Sequence, residues 1–287
     1  FSNIYRDKKQ ASKLWEAVFL TLMLSTILAV LYGFLNQTSL DRWISGMGYV
    51  SQIYGTVGTA RIGMYLCVSL IYPVFYLRNP ILKLALCLGL SFAVVMTLSI
   101  TAMVCLGVFW VMVILFKDIK KFKQNFKKTV LVVLCMMVIT FFWADIQEIT
   151  YIKPIIVRVN TLMDAFSIGD MTVATSSRSS LAEAYLKDFR EYSTINKIFG
   201  SFYVNRVSVV TNHSDITHYA HNSFVDILLY FGIIGTVLFL ARILSNVLLL
   251  RKTDDFLQIF ILKIIFVITG FSVSMSANSY WLVWLIL

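Results

Sequence analysis

Charge is scarce in this sequence. Charged residues make up 14% of the 287-residue chain, where a soluble domain carries about 25%. With 59% hydrophobic residues, the chain has too little polar surface to cover a soluble core, which excludes an ordinary globular domain. Proline is nearly absent, with 3 residues against 22 Phe and 14 Tyr. The apolar runs lack the strict alternation of polar and apolar residues that an outer-membrane barrel needs, which excludes that class. The four cysteines, Cys67, Cys87, Cys105 and Cys135, all fall in apolar runs, and the long polar segment has none. No disulfide framework and no redox compartment can be read from them. Internal repeats are absent, and so is low-complexity sequence beyond one lysine-rich loop.

What is present is a series of apolar runs of bilayer-spanning length, about 17–25 residues for a helix. The bilayer core offers no water to the backbone, so each run must be helical. The runs predict spans at about 14–35, 62–77, 129–144, 224–249 and 256–275. A 36-residue run from Ile81 to Phe116 is about twice the length of one span and is expected to split near Ser99-Ile100-Thr101. Residues 280–287 begin a further span. The chain opens at Phe1 and stops inside WLVWLIL, so it reads as a fragment lacking N-terminal spans. The expected class is all-α: a polytopic transmembrane helix bundle with one long structured extracytoplasmic loop. It divides into transmembrane helices over 1–144, the loop over 145–222, and C-terminal transmembrane helices over 223–287.

The net charge of +10 sits between spans rather than on one folded face, so nucleic acid is not an expected partner. Lys8, Lys9 and Lys13 precede the first span, and Arg78 and Lys83 flank the next junction. The segment KDIKKFKQNFKK, 117–128, holds six lysines and one acid, and Arg251-Lys252 follow the span after the polar segment. Those clusters fall on one side of the membrane, and basic short loops face the cytoplasm. Segment 145–222, with seven basic and eight acidic residues, then faces outward. Within it Ser180 and Glu183 have capping-box spacing. Leu181, Tyr185, Phe189 and Tyr192 follow at helical spacing, which predicts an amphipathic helix over about 181–191 lying against the membrane or the spans.

All three histidines, His213, His218 and His221, fall within nine residues immediately before an outward span end. Imidazole serves as base, donor or metal ligand near neutral pH. An interfacial polar loop, a metal site built from His218, His221 and Asp215, and a polar catalytic or binding role are the open readings. No HExxH pattern or cysteine ligand supports the metal. Arg61, in GTARIGMYL at the outer end of the second span, runs against the positive-inside trend. Arg178 stands just ahead of the amphipathic helix. A guanidinium grips phosphate bidentately, although either residue also fits an interface anchor. Arg158, Arg190 and Arg206 share the loop and are not ranked by physics alone. Aromatic residues within spans read as lipid-facing or packing groups.

The segment HNSFVDILLYFGIIGTVLFL, 221–240, resembles the signature of the bacterial O-antigen ligase and polysaccharide polymerase superfamily, in which His-Asn precedes a span with a Gly-Ile-Ile-Gly-like step. Upstream, SSRSSLAEAYLKDFREYSTINKIFGSF resembles the family's Ser-(Gly/Ser)-Arg segment, followed by a helix and a glycine near the return to the membrane. The order Arg, helix, Gly, His-Asn, span is kept, and the likeness covers about 60–287, most firmly 176–240. By this resemblance His221 and Asn222 match the His-Asn pair, Arg178 the loop arginine, and Gly232 and Gly235 the span glycines. The family's Ser-Arg pair at an earlier outward break is replaced here by Thr101-Ala102. Arg61 is the candidate for a comparable charge, which leans the reading from ligase to polymerase.

The resemblance implies a metal-independent glycosyltransferase in the bacterial inner membrane with an outward active site. It requires no cofactor. The donor would be a glycan on undecaprenyl pyrophosphate, drawn from the lipid phase, and the acceptor a second glycan or lipid A–core. A chain-length regulator protein is a further implied partner. Catalytic roles fall to Arg178 and His221, and substrate-binding roles to Arg61, Asn222 and His218. An O-antigen ligase is the rival within the class. A transporter of polysaccharide or lipid-linked oligosaccharide is the rival outside it, but transporters show internal repeats or interrupted spans, and continuous spans are expected here.

Overall fold

A computed structural model describes residues 8–35, 59–97, 99–116, 178–201, 207–210, 215–218, 222–250 and 255–271, with a few single positions between 156 and 167. The expected span at 129–144, the lysine-rich loop and residues 280–287 lie outside the described residues, as does the side chain of Arg178. The described structure is helical. Its one exception is a short antiparallel pair in the polar segment, β1 (Val207–Val210) with β2 (Asp215–His218), in the register Val207 opposite His218 and Val210 opposite Asp215. The all-α expectation holds as a class and omits this hairpin.

Two compact units are present: Phe1–Val159 with Thr253–Ile265, and Asn160–Lys252 with Phe266–Leu287. The first unit contains α1 (Lys8–Leu35), α2 (Thr59–Ser69), α3 (Ile71–Phe75), α4 (Pro80–Met96) and α5 (Ile100–Phe116). The two pieces α2 and α3 are the expected second span, interrupted at Leu70. The expected split of 81–116 falls at Thr97–Ser99, where hydroxyls replace missing helix partners. Thr97 Oγ1 donates to Val94 O at 2.7 Å, and Ala102 N donates to Ser99 Oγ at 3.4 Å. Asn79 opens α4, its carboxamide oxygen accepting from Ile81 N (3.0 Å) and Leu82 N (3.2 Å), with Pro80 in the first turn where its missing N–H costs nothing.

Helix α2 is apolar nearly all round and is buried: Ile62, Met64, Leu66, Cys67 and Val68 are all in the core, as expected for a central helix. It packs on α1, α4 and α5. The outer helices turn large apolar side chains outward, among them Leu24, Leu28 and Leu31 on α1 and Leu84, Leu88 and Phe92 on α4. A soluble monomer does not carry such a continuous apolar exterior. By length and composition Ser12–Tyr32 and Ser223–Ser245 can each cross a membrane, and Pro80–Met96 and Ile100–Phe116 are shorter apolar helices. The chain therefore associates with a membrane.

Buried Asp255 lies just before α9 (Phe256–Gly270). Its carboxylate accepts from Tyr76 OH at 2.9 Å and from Ser12 Oγ at 3.4 Å. The start of α1, the end of α3 and the start of α9 therefore meet at one point. These are three of the helix ends that the lysine and arginine pattern puts on one side.

Helix α6 (Arg178–Glu191) begins earlier than the expected 181, so Ser180 lies inside its first turn and not ahead of it, and the expected capping box is corrected accordingly. Its apolar stripe is as expected. Tyr185, 1% exposed, packs with Val225 and Leu229, and Phe189 and Tyr192 pack against that cluster. Tyr192 lies just beyond the helix, and α7 (Thr194–Phe199) follows, capped by Ser193, whose hydroxyl accepts from Asn196 N at 3.3 Å.

The expected continuous span 224–249 is not one rod. Helix α8 (Ser223–Leu250) breaks at Gly232, where φ is 64° and ψ −166°, a conformation essentially restricted to glycine. The rings of Phe224 and Phe239 have centroids 6.5 Å apart. In a straight helix those residues would stand roughly 22 Å apart along the axis, more than two phenyl side chains can bridge. The two halves therefore fold back at Gly232 by roughly a right angle or more. Exposure changes at the same point: Val225, Ile227 and Leu229 are buried before it, and Ile233, Ile234, Val237 and Leu238 are exposed after it.

Candidate functional site

The first half of α8 starts at Asn222, whose role is visible in its contacts. The Asn222 carboxamide oxygen accepts from Phe224 N at 3.0 Å and Val225 N at 3.3 Å, and its backbone carbonyl accepts from Asp226 N at 3.0 Å. Asn222 is thus the cap of α8, satisfying amide donors that the helix leaves unpaired. Its oxygen is spent on the helix, so only the carboxamide N–H groups remain for His221 or a sugar. His221, one residue earlier, lies outside the described residues, and so does His213.

Helices α6, α7 and the first half of α8 form one body. The Tyr185–Val225–Leu229 cluster joins α6 to α8. The joint between α7 and α8 is made by backbone. The break at Gly232 leaves the Leu229 carbonyl without its usual donor four residues on, and Ser201 N fills that place at 3.0 Å, with Ser201 Oγ at 3.4 Å from the same oxygen. Gly200, also at positive φ (87°), closes α7 against Tyr230 and Phe231. A Cβ at Gly200 would fall on the Tyr230 carbonyl, and one at Gly232 would fall on the Ile198 carbonyl. The helix that begins at Arg178 and the helix capped by Asn222 are held together by these contacts. His218 ends β2, opposite Val207.

Arg61 belongs to the first unit, half-buried on the first turns of α2. Two residues on, Gly63 rests against the start of α5: a Cβ there would overlap the Ala102 methyl and stand 3.5 Å from Thr97 Oγ1. Cys67 Sγ, one turn further, donates to Ala102 O at 3.6 Å. Arg61 is therefore carried on the helix that packs beside the Thr97–Thr101 break.

Besides Asp255, two buried charged side chains among the described residues escaped the sequence reading. Asp226 is 2% exposed, in the first turn of α8, where a carboxylate is favoured by the partial positive charge of the helix start. Lys263 is 6% exposed within α9. Each was legible as a lone charge inside an apolar run, FVDILLY and FILKIIF, and an ionisable residue so placed is a candidate for function. No family model, curated protein or solved structure matches this chain.

Proposed function

We propose that this chain is a multi-pass inner-membrane glycosyltransferase that extends a glycan carried on undecaprenyl pyrophosphate, on the outer face. An acceptor hydroxyl attacks the anomeric carbon, the bond from that carbon to the pyrophosphate oxygen breaks, and the lipid pyrophosphate leaves. Negative charge grows on the leaving group, so fixed cations aimed at it lower the barrier. Arg178 takes that role. His221 accepts or orients the proton of the attacking hydroxyl. His218 and the carboxamide N–H groups of Asn222 contribute to binding the glycan.

The observation that carries this reading is the shared body of α6 and the first half of α8. The segment bearing Arg178 and the segment bearing His221-Asn222 lie 43 residues apart by numbering, and the Tyr185–Val225–Leu229 cluster unites their helices. Packing of α2 beside the Thr97–Thr101 break supports Arg61 as the replacement for the missing pair. Convergence of Ser12, Tyr76 and Asp255 supports the proposed orientation, with that end cytoplasmic. Beyond the corner, the second half of α8 has 18 residues, roughly 27 Å of helix, enough to cross the hydrocarbon core without the first half.

Transport is the second reading, and the break at Gly232 favours it, because transporters build substrate sites at interrupted helices. Single-cysteine labelling in intact cells separates sides: Ser201→Cys is expected to react with an impermeant maleimide, and Lys121→Cys only after lysis. The reverse pattern removes the outward active site.

A further inference from the structure

The short helix α7 presents an apolar face that no other described residue covers. Ile195 is 70% exposed and Phe199 56% exposed. They stand four apart, hence on one side of the helix. Neighbouring Ile198 is half-buried, and its carbonyl faces Gly232. Helix α7 is therefore attached to α8 through its backbone at Ile198 and Gly200, and its Ile195 and Phe199 side chains stay exposed. The attachment point is the corner of α8, and the second half of α8 departs from that corner with Ile233, Ile234, Val237 and Leu238 turned outward. The uncovered face of α7 is thus held next to the beginning of an apolar band that, on the reading above, meets lipid.

We propose that α7 is an interfacial helix whose Ile195 and Phe199 side chains enter the acyl region of the outer leaflet. This rests on the proposed outward, membrane-spanning arrangement. A short helix with an apolar side and a polar side lies in the plane of the interface. Lys197, half-buried on the same helix, has an aliphatic stem long enough to bring its ammonium up to the headgroups. The backbone joint Gly200–Gly232 fixes the height of α7 against the lipid-facing half of α8. The loop body carrying Arg178 and Asn222 is then held at the membrane surface, where a lipid-linked pyrophosphate would lie.

Spin labels test this on the full chain in mixed phosphatidylcholine–phosphatidylglycerol vesicles, with native cysteines replaced. Single labels go at 195, 199, 196 and 237. Labels at 195 and 199 are expected to collide with oxygen as the label at 237 does and to lose collisions with a water-soluble nickel chelate. The label at exposed Asn196 should keep them. Nickel collisions at 195 and 199 with an oxygen-accessible label at 237 overturn the interfacial helix and leave the membrane reading standing. Loss of both kinds of collision at 195 and 199 means a protein partner covers the face, which also overturns it. A nickel-accessible label at 237 overturns the spanning arrangement itself.

Discussion

Gly200 and Gly232 meet backbone to backbone, both at positive φ, 87° and 64°, with no room for a Cβ on either. This contact closes α7 onto the corner of α8 and lets Ser201 take over the carbonyl that the corner leaves free. Gly200→Ala and Gly232→Ala should each destabilise the second unit. An L-residue at positive φ costs roughly 1–2 kcal/mol, and displacement of opposing backbone adds to it. Gly89→Ala and Gly107→Ala are the controls, since a Cβ at either meets nothing within 4 Å. Within a helix that exchange gains about 0.5–1 kcal/mol. Thermal unfolding of the purified chain should fall for the first pair and hold or rise for the second.

The contact of Gly63 with Ala102 makes a second prediction. Small residues let helices approach closely in membranes, and here they bring Arg61's helix beside the Thr97–Thr101 break. Gly63→Leu should separate α2 from α5 and lower activity together with stability. Gly63→Ala should do so mildly, and adding Ala102→Gly should restore it, since the second exchange removes the opposing methyl. Failure of the double variant to recover would mean that α2 and α5 do not meet at these residues.

Substitution of Asn222 separates a structural from a chemical role. Asn222→Ala removes the cap, at about 1 kcal/mol, and should lower membrane abundance. Asn222→Asp keeps an oxygen for Phe224 N and Val225 N and removes the carboxamide N–H groups. Normal abundance with reduced chain extension in Asn222→Asp would show that those N–H groups work on His221 or the glycan. Normal extension would reduce Asn222 to a cap.

Much of the fold was legible because apolar length and helical period report burial directly. The stripe Leu181, Tyr185, Phe189, Tyr192 was read correctly, since a period near 3.6 has one structural meaning. The split of 81–116 followed from length alone. The corner at Gly232 was not legible as a corner. Glycine in an apolar run reads equally as a close-packing site, and hydropathy counts apolar residues without asking whether they lie on one axis. The early start of α6 was missed because Ser180 has cap spacing, yet Arg178 and Ser179 also tolerate helix. Arg61's neighbourhood depended on α2 packing against α5, a contact between segments far apart in sequence that spacing does not encode.

Reconstitution shows whether Arg178 and His221 act at opposite ends of one glycosyl transfer. The purified chain in vesicles, given undecaprenyl pyrophosphate-linked repeat units, should lengthen the glycan and release undecaprenyl pyrophosphate. Removing a fixed charge donor costs about 100-fold or more in rate, and removing a general base a similar order. Arg178→Ala and His221→Ala should therefore abolish extension at unchanged protein level, with Arg178→Lys impaired less because it keeps charge without the bidentate fork. Donor crossing the bilayer with no lengthening of the glycan, or full extension by His221→Ala, would contradict the account.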